Sequence, residues 1–248
     1  MFVVQDHEIL PDFCYEALRA VEYQNWLSLG SAQVRRVSDF DFSTFSEVDI
    51  PVGSLEFVRS FFSQKLGITS DPRPLNVPTC LHKYCYVKRS IWNDVTRENI
   101  DTMIDELPSK IFVKPATRYK DFVGDIVVKE SLAEYLRRHS CIDISEVVEF
   151  KDEWRVFVHN YNFLDLKCYS GIFSSYPNDS FIMDIVSTLK QNTPSLRSYA
   201  LDLGLIGVDY AVIEVHPFVS CGLYGFRDPR YLLAMFVNGA GYWRGAAG

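Results

Sequence analysis

The stretch SYALDLGLIGVDYAVIEVHP, residues 198–217, contains three side chains of the types that hold a divalent cation: Asp202, Glu214 and His216. Side chains alternate along a strand, so Glu214 and His216 share one face of AVIEVHP while Ile213 and Val215 take the other. A turn through residues 205–207 brings Asp202 back beside them. Two carboxylates without a thiolate favour a hard ion such as magnesium. A single histidine near a strand end more often serves as a hydrogen-bonding residue, and only its company here gives it a ligand role.

A second group is cationic. Lys114 closes the apolar run Ile111-Phe112-Val113 and precedes Pro115. Its ammonium is therefore held at a strand end, where it can neutralise phosphate oxygens or simply lie along the surface. Arg118 and Lys120, ahead of Gly124 in TRYKDFVG, form either a loop that covers an anion or a solvated charge run. Glu153 and Arg155 are two apart and share the face opposite Trp154, Val156 and Val158. A planar guanidinium there suits phosphate or carboxylate, and the same spacing suits an exposed cross-strand ion pair. Lys167, on the next strand, is placed to face the same way. Gly-x-Ser-x-Gly, the Walker A pattern and GxGxxG are all absent, and only closeness in sequence links Cys221 to His216. A nucleotide site, if the chain has one, has to be built from strand lysines and the metal patch.

The elements that must position these residues alternate between strand and helix without regular βαβ order, which predicts an α+β fold. Leu55, Val58, Phe61, Phe62 and Leu66 recur at helical spacing after Gly53-Ser54 and stop at Gly67. The Pro-rich passage at residues 71–78 reads as a linker and closes a small N-terminal domain at 1–78. Residues 79–148 carry strands at 111–113 and 122–128, then a helix behind a Ser131-x-x-Glu134 capping box. Residues 149–248 carry strands at 154–158 and 164–169, a helix near 180–190 and the acidic pair of strands. They end in a helix over 231–237, entered through Asp228-Pro229.

The chain has 248 residues, 48% of them hydrophobic, which is enough for one substantial core or two small ones. Its net charge of −7 weighs against a general nucleic-acid backbone binder. No membrane span or basic-then-apolar leader is present, which reads as a cytoplasmic protein with no membrane partner. The six cysteines are scattered with no CxxC, so neither a zinc knuckle nor a disulfide framework is indicated.

In order and spacing, PVGSLEFV, the Lys88-Arg89 region, FVKPATRYKDFVG, SEVVEFKDEWRVFV and the run from YALDLG through VIEVHP to GLYGFRDP resemble an ATP-grasp protein. Within that superfamily the chain is most similar to the clade named for one arginine and two lysines. The resemblance implies a pre-ATP-grasp domain followed by two α+β subdomains, 79–148 and 149–248, that clasp ATP. It assigns Lys114 to the α- and β-phosphates, Arg89 to the first phosphate-contacting position with Lys88 as the competing alignment, and Lys120 to the second lysine. Residues 145–148, including Glu146, Val147 and Val148, would meet adenine through their backbone, with Glu149 near the ribose. Glu153 and Arg155 would line the phosphate and acceptor side, with Lys167 beside them among the nucleotide-binding residues. Asp202 and Glu214 would hold magnesium.

Where the family usually has Asn, this chain has His216. Imidazole is the softer donor, which favours manganese, a phosphate contact or a weakened second metal site. The implied reaction is carbon–nitrogen ligation: ATP phosphorylates a carboxylate, and an amine displaces phosphate to give an amide, with Arg155 and Lys114 as the catalytic cations. The substrates would be a small molecule, a peptide or a protein end. The alternatives are a phosphotransferase on the same scaffold and a nucleotide-binding module with a weakened metal site.

Overall fold

A computed structural model describes residues 1–6, 11–85, 89–173 and 175–246. Strands β1 (Phe2–Gln5), β2 (Val34–Val37) and β3 (Ile50–Val52) form a parallel sheet in the order β2-β1-β3. Helix α1 (Asp12–Ser28) connects the first two strands, and α2 (Leu55–Leu66) follows the third. The predicted start and stop of α2 are both present. The Ser54 hydroxyl accepts from the Phe57 N–H at 3.2 Å, and Gly67 ends the helix in the left-handed conformation.

The middle of the chain forms an antiparallel sheet in the order β4-β7-β5-β6, from β4 (Ile91–Val95), β5 (Lys110–Pro115), β6 (Asp125–Val128) and β7 (Ile142–Glu146). Two expectations need correction here. The strand placed at 122–128 begins only at Asp125, because residues 119–122 turn, with Lys120 at φ +53°. The capping box does not form either. Ser131 lies in a 3-10 turn and makes no capping bond, while Glu134 instead pairs with Arg138 one turn along α3 (Leu132–Arg138).

A second antiparallel sheet, in the order β11-β10-β8-β9, follows from β8 (Asp152–His159), β9 (Asn162–Gly171), β10 (Ser198–Ile206) and β11 (Asp209–Pro217). Helix α4 (Asp179–Asn192) and α5 (Pro229–Ala246) complete the chain. Asp228 caps α5, accepting from the Arg230 N–H at 3.0 Å, and the helix runs well beyond the predicted 231–237. The α+β class is as read from the sequence.

Strand β8 shows why its sequence does not alternate cleanly between apolar and polar. Trp154, Val156 and Val158 enter a core shared with Ile182, Ile185 and Leu189 of α4. On its other face, Phe157 joins a core that contains Val3, Phe61 and Phe62 from the N-terminal part and Leu232, Met235 and Trp243 from α5. The sheet is therefore covered on both sides, and a polar residue on β8 has to find its partner inside the protein.

Candidate functional site

The acidic patch rests on a tight hairpin. β10 and β11 are joined by the two-residue turn Gly207-Val208, in which Gly207 takes φ +66°, a conformation glycine adopts at little cost. The resulting register sets Asp202 directly opposite Glu214 and Ala200 opposite His216, with a bulge just after Asp202. β8 lies on the other side of β10 with Arg155 opposite Asp202. One row therefore crosses three strands: Arg155, Asp202, Glu214. The ligand atoms of Asp202, Glu214 and His216 all lie within 4.8 Å of one another.

The row is charge-balanced. Arg155, 5% exposed, donates from Nε to Asp202 Oδ1 at 2.8 Å and from Nη2 to Oδ2 at 2.7 Å, and Asp202 is 2% exposed. Its Nη1 donates to the Gly222 carbonyl at 3.0 Å, and Nη2 also reaches His216 Nε2 at 3.0 Å, so that ring nitrogen is the acceptor. Tyr169 and Tyr224, stacked with centroids 4.9 Å apart, lie against the guanidinium at 5.6 and 5.0 Å. Burial opposes the charge on Arg155, but the Asp202 carboxylate outweighs it and holds the guanidinium protonated. The exposed cross-strand ion pair is thus replaced by a buried one.

Lys114 joins the two antiparallel sheets. From β5 its Nζ donates to Glu214 Oε2 at 2.5 Å. That ammonium, against the opposing effect of burial, holds the Glu214 carboxyl down to about 2, so it is ionised throughout the neutral range. Two carboxylates and an imidazole suit a hard or borderline dication, and each carboxylate keeps accepting capacity beyond the bonds it already receives. The fit carries a condition. With Lys114 and Arg155 already balancing Asp202 and Glu214, a dication gains most when it arrives with anionic phosphate that draws Lys114 away.

Lys114, Lys120, Glu214 and His216 also line one cavity of about 390 Å³. Glu153 does not line that cavity; it accepts at 2.9 Å from the hydroxyl of Tyr169, whose ring lies against Arg155. Burial beside Asp202 and Glu153 pushes that hydroxyl's pKa well up, so it remains a donor. Arg89 lines a separate cleft. It is buried, donates to Ser145 Oγ at 2.8 Å and the Val212 carbonyl at 3.3 Å, and stands over the Phe150 ring. It shares only a narrow cleft with Lys114. Phe150 fits there because the facing position is Gly204, where a Cβ would come within 2.1 Å of its ring.

The Glu146 carboxylate accepts from the Ser90 N–H at 2.7 Å and secures β4 to β7. Val147, Val148 and Glu149 follow the end of β7 outside regular structure, with Val147 and Glu149 exposed. Lys167 is the register partner of Arg155, but its ammonium goes to Asp165 at 2.8 Å on its own strand. Lys88 falls outside the described residues. Burial raises Cys221 to about 12, so it supplies no thiolate beside His216.

Sequence reasoning overlooked Asn76. In the passage expected to be a linker, its side-chain amide donates to the Pro115 carbonyl at 2.9 Å and to Asp143 at 2.7 Å. Its own carbonyl accepts from the Val215 N–H at 2.7 Å, so one residue ties β5, β7 and β11 together. The Asx-type chemistry of asparagine beside prolines was the available signal. Trp243 on the cavity wall carried none.

Two antiparallel sheets bridged by a lysine, with paired carboxylates on the second sheet, define an ATP-grasp architecture. The chain belongs to the ATP-grasp domain family 2 of the arginine-and-two-lysine clade, whose model matches residues 86–234. Among solved structures it is similar in fold to the ATP-grasp ligase PsnB complexed with its minimal precursor (12% identity, 94% of this chain and 98% of that one, TM-score 0.56). It is equally similar to the macrocyclase MdnC bound with precursor peptide MdnA from Microcystis aeruginosa (12%, 94% and 97%, TM-score 0.56). A RimK domain ATP-grasp protein from Sphaerobacter thermophilus also matches (13%, 100% and 99%, TM-score 0.52). No curated protein matches the chain in sequence.

Proposed function

We propose that this chain is an ATP-dependent carboxylate–amine ligase. The observation that carries the reading is the Lys114–Glu214 contact, which places a strand-end cation and one carboxylate of the acidic pair on the wall of one cavity. When Lys114 exchanges Glu214 for phosphate oxygens, one ammonium neutralises the nucleotide and one carboxylate becomes free for a cation. Asp202, Glu214 and His216 would hold a magnesium or manganese ion, which supplies charge neutralisation on the transferring phosphoryl group. Arg155 has its donors directed at Asp202, Gly222 and His216, so its role is to fix those two side chains, leaving one N–H to meet an anion. Lys120, on the turn with φ +53° and lining the same cavity as Lys114, would add a second ammonium to the phosphates.

In the reaction, a substrate carboxylate oxygen attacks the γ-phosphorus and ADP leaves. An amine then attacks the acyl carbon, phosphate leaves and the amine loses a proton. The chain's task is to place the reactants and exclude water. Incubation with magnesium, ATP and pooled amino acids or peptides should release ADP together with a product lighter by one water than the joined substrates. A product heavier than one substrate by a phosphoryl group would instead establish phosphotransfer.

A further inference from the structure

The cavity beside Lys114 and Glu214 offers more than a phosphate tail needs. At about 390 Å³ it falls in the size range of small-molecule sites. Beside Lys114, Lys120, Glu214 and His216 the lining is mainly apolar, with Leu55, Tyr119, Phe122, Val219 and Trp243 among its residues. Trp243 stacks on Tyr119 at 6.0 Å and on Phe62 at 6.1 Å, so core packing holds the aromatic face in place before any ligand arrives. Phosphate oxygens gain nothing from such a surface, because desolvating them against groups that donate no hydrogen bond is costly. On the other side of Lys114 the cleft by Arg89, Ile144 and Ser145 holds only about 10 Å³. Lys114 and Asn76 line both spaces, so two pockets of different polarity meet at one lysine.

Building on the ligase reading, we propose that the large cavity seats the carboxylate substrate and that this substrate carries an apolar, aromatic-sized body. It is a phenylalanine-like acid, free or at the end of a peptide. Its carboxylate points to the end where Lys114 and the exposed Lys120 lie, and its side chain lies against Tyr119, Phe122 and Trp243. A short acid leaves that wall wet. A second carboxylate, as in glutamate, brings a charge against Leu55, Phe122 and Val219, whose side chains have no polar atom to pair it.

Calorimetric titration of the full chain with phenylalanine, alanine, glutamate and the dipeptide Ala-Phe, each with and without magnesium and adenylyl imidodiphosphate, tests this. Phenylalanine or Ala-Phe should bind about tenfold or more tightly than alanine and glutamate in at least one of the two conditions. Val219→Trp, which fills the cavity, should remove that preference, and Phe122→Ala, which strips part of the wall, should weaken it. Equal binding of alanine or glutamate, no binding of any acid in either condition, or displacement of phenylalanine by the nucleotide analogue would overturn the inference. The last outcome would make the aromatic wall the adenine seat. If the analogue fails to bind while phenylalanine binds with the stated preference, the nucleotide reading falls and the cavity assignment stands.

Discussion

Glu214 receives Lys114 on one oxygen, while the other lies 3.7 Å from His216, so under the proposed ligase function its carboxylate is where nucleotide and cation would compete for partners. Glu214→Gln should bind ATP analogue without metal at least as tightly as the parent, because Lys114 is released. Its manganese affinity should fall by about tenfold or more, read by paramagnetic titration. The same pair sets a pH signature. The folded-state value of Glu214 lies near 2 against an ordinary 4.5, so its stabilising effect is complete above about pH 5 and is lost as pH falls towards 2. In acid-unfolding curves, the gap between parent and Glu214→Gln should be constant near neutrality and close through that window. Arg155 supports a third test. Arg155→Met leaves Asp202 charged and buried and should cost about 3–5 kcal/mol in urea unfolding, whereas Arg155→Met with Asp202→Leu should cost less than the single change.

Among the elements, the β10–β11 hairpin and the Asn76 strap set the geometry of the site. Asn76→Ala removes the side-chain donor to the Pro115 carbonyl and the one to Asp143 Oδ2, leaving Asp143 the Asp94 N–H on its other oxygen, and should destabilise the fold by about 1–3 kcal/mol, measured by thermal or urea unfolding. Local sequence carries one part of this geometry and not another. The spacing of Glu214 and His216 on one strand, and the return of Asp202 beside them, follow from the period of two and a glycine turn. The shortened β6 and the failed Ser131 cap do not follow, because the turn through Lys120 and the 3-10 turn at Ser131 depend on how neighbouring segments pack, and propensity is a weak guide there.

Across the whole molecule, the C-terminal helix belongs to the same core as the N-terminal sheet, with Trp243 stacked on Phe62 and Leu232, Met235 and Phe236 buried among the N-terminal residues. Removing residues 229–248 should therefore unfold the N-terminal part as well, visible as lost dispersion in its amide spectrum and loss of cooperative melting. The cavity wall would go with it, since Trp243 forms part of that wall.

Residue types and their order were enough for the α+β class, the ATP-grasp resemblance, the polar face of Asp202, Glu214 and His216, and the strand-end placement of Lys114. Each of these is a local consequence of backbone period and residue chemistry. Folding in three dimensions was needed to show that Arg155 spends its donors on Asp202, Gly222 and His216, that Lys114 meets Glu214 across two sheets, that Arg89 shares a narrow cleft with Lys114, and that Trp243 lines the cavity. Those outcomes depend on which segments come to lie side by side, and in a buried site each charge must take whichever partner packing brings within reach.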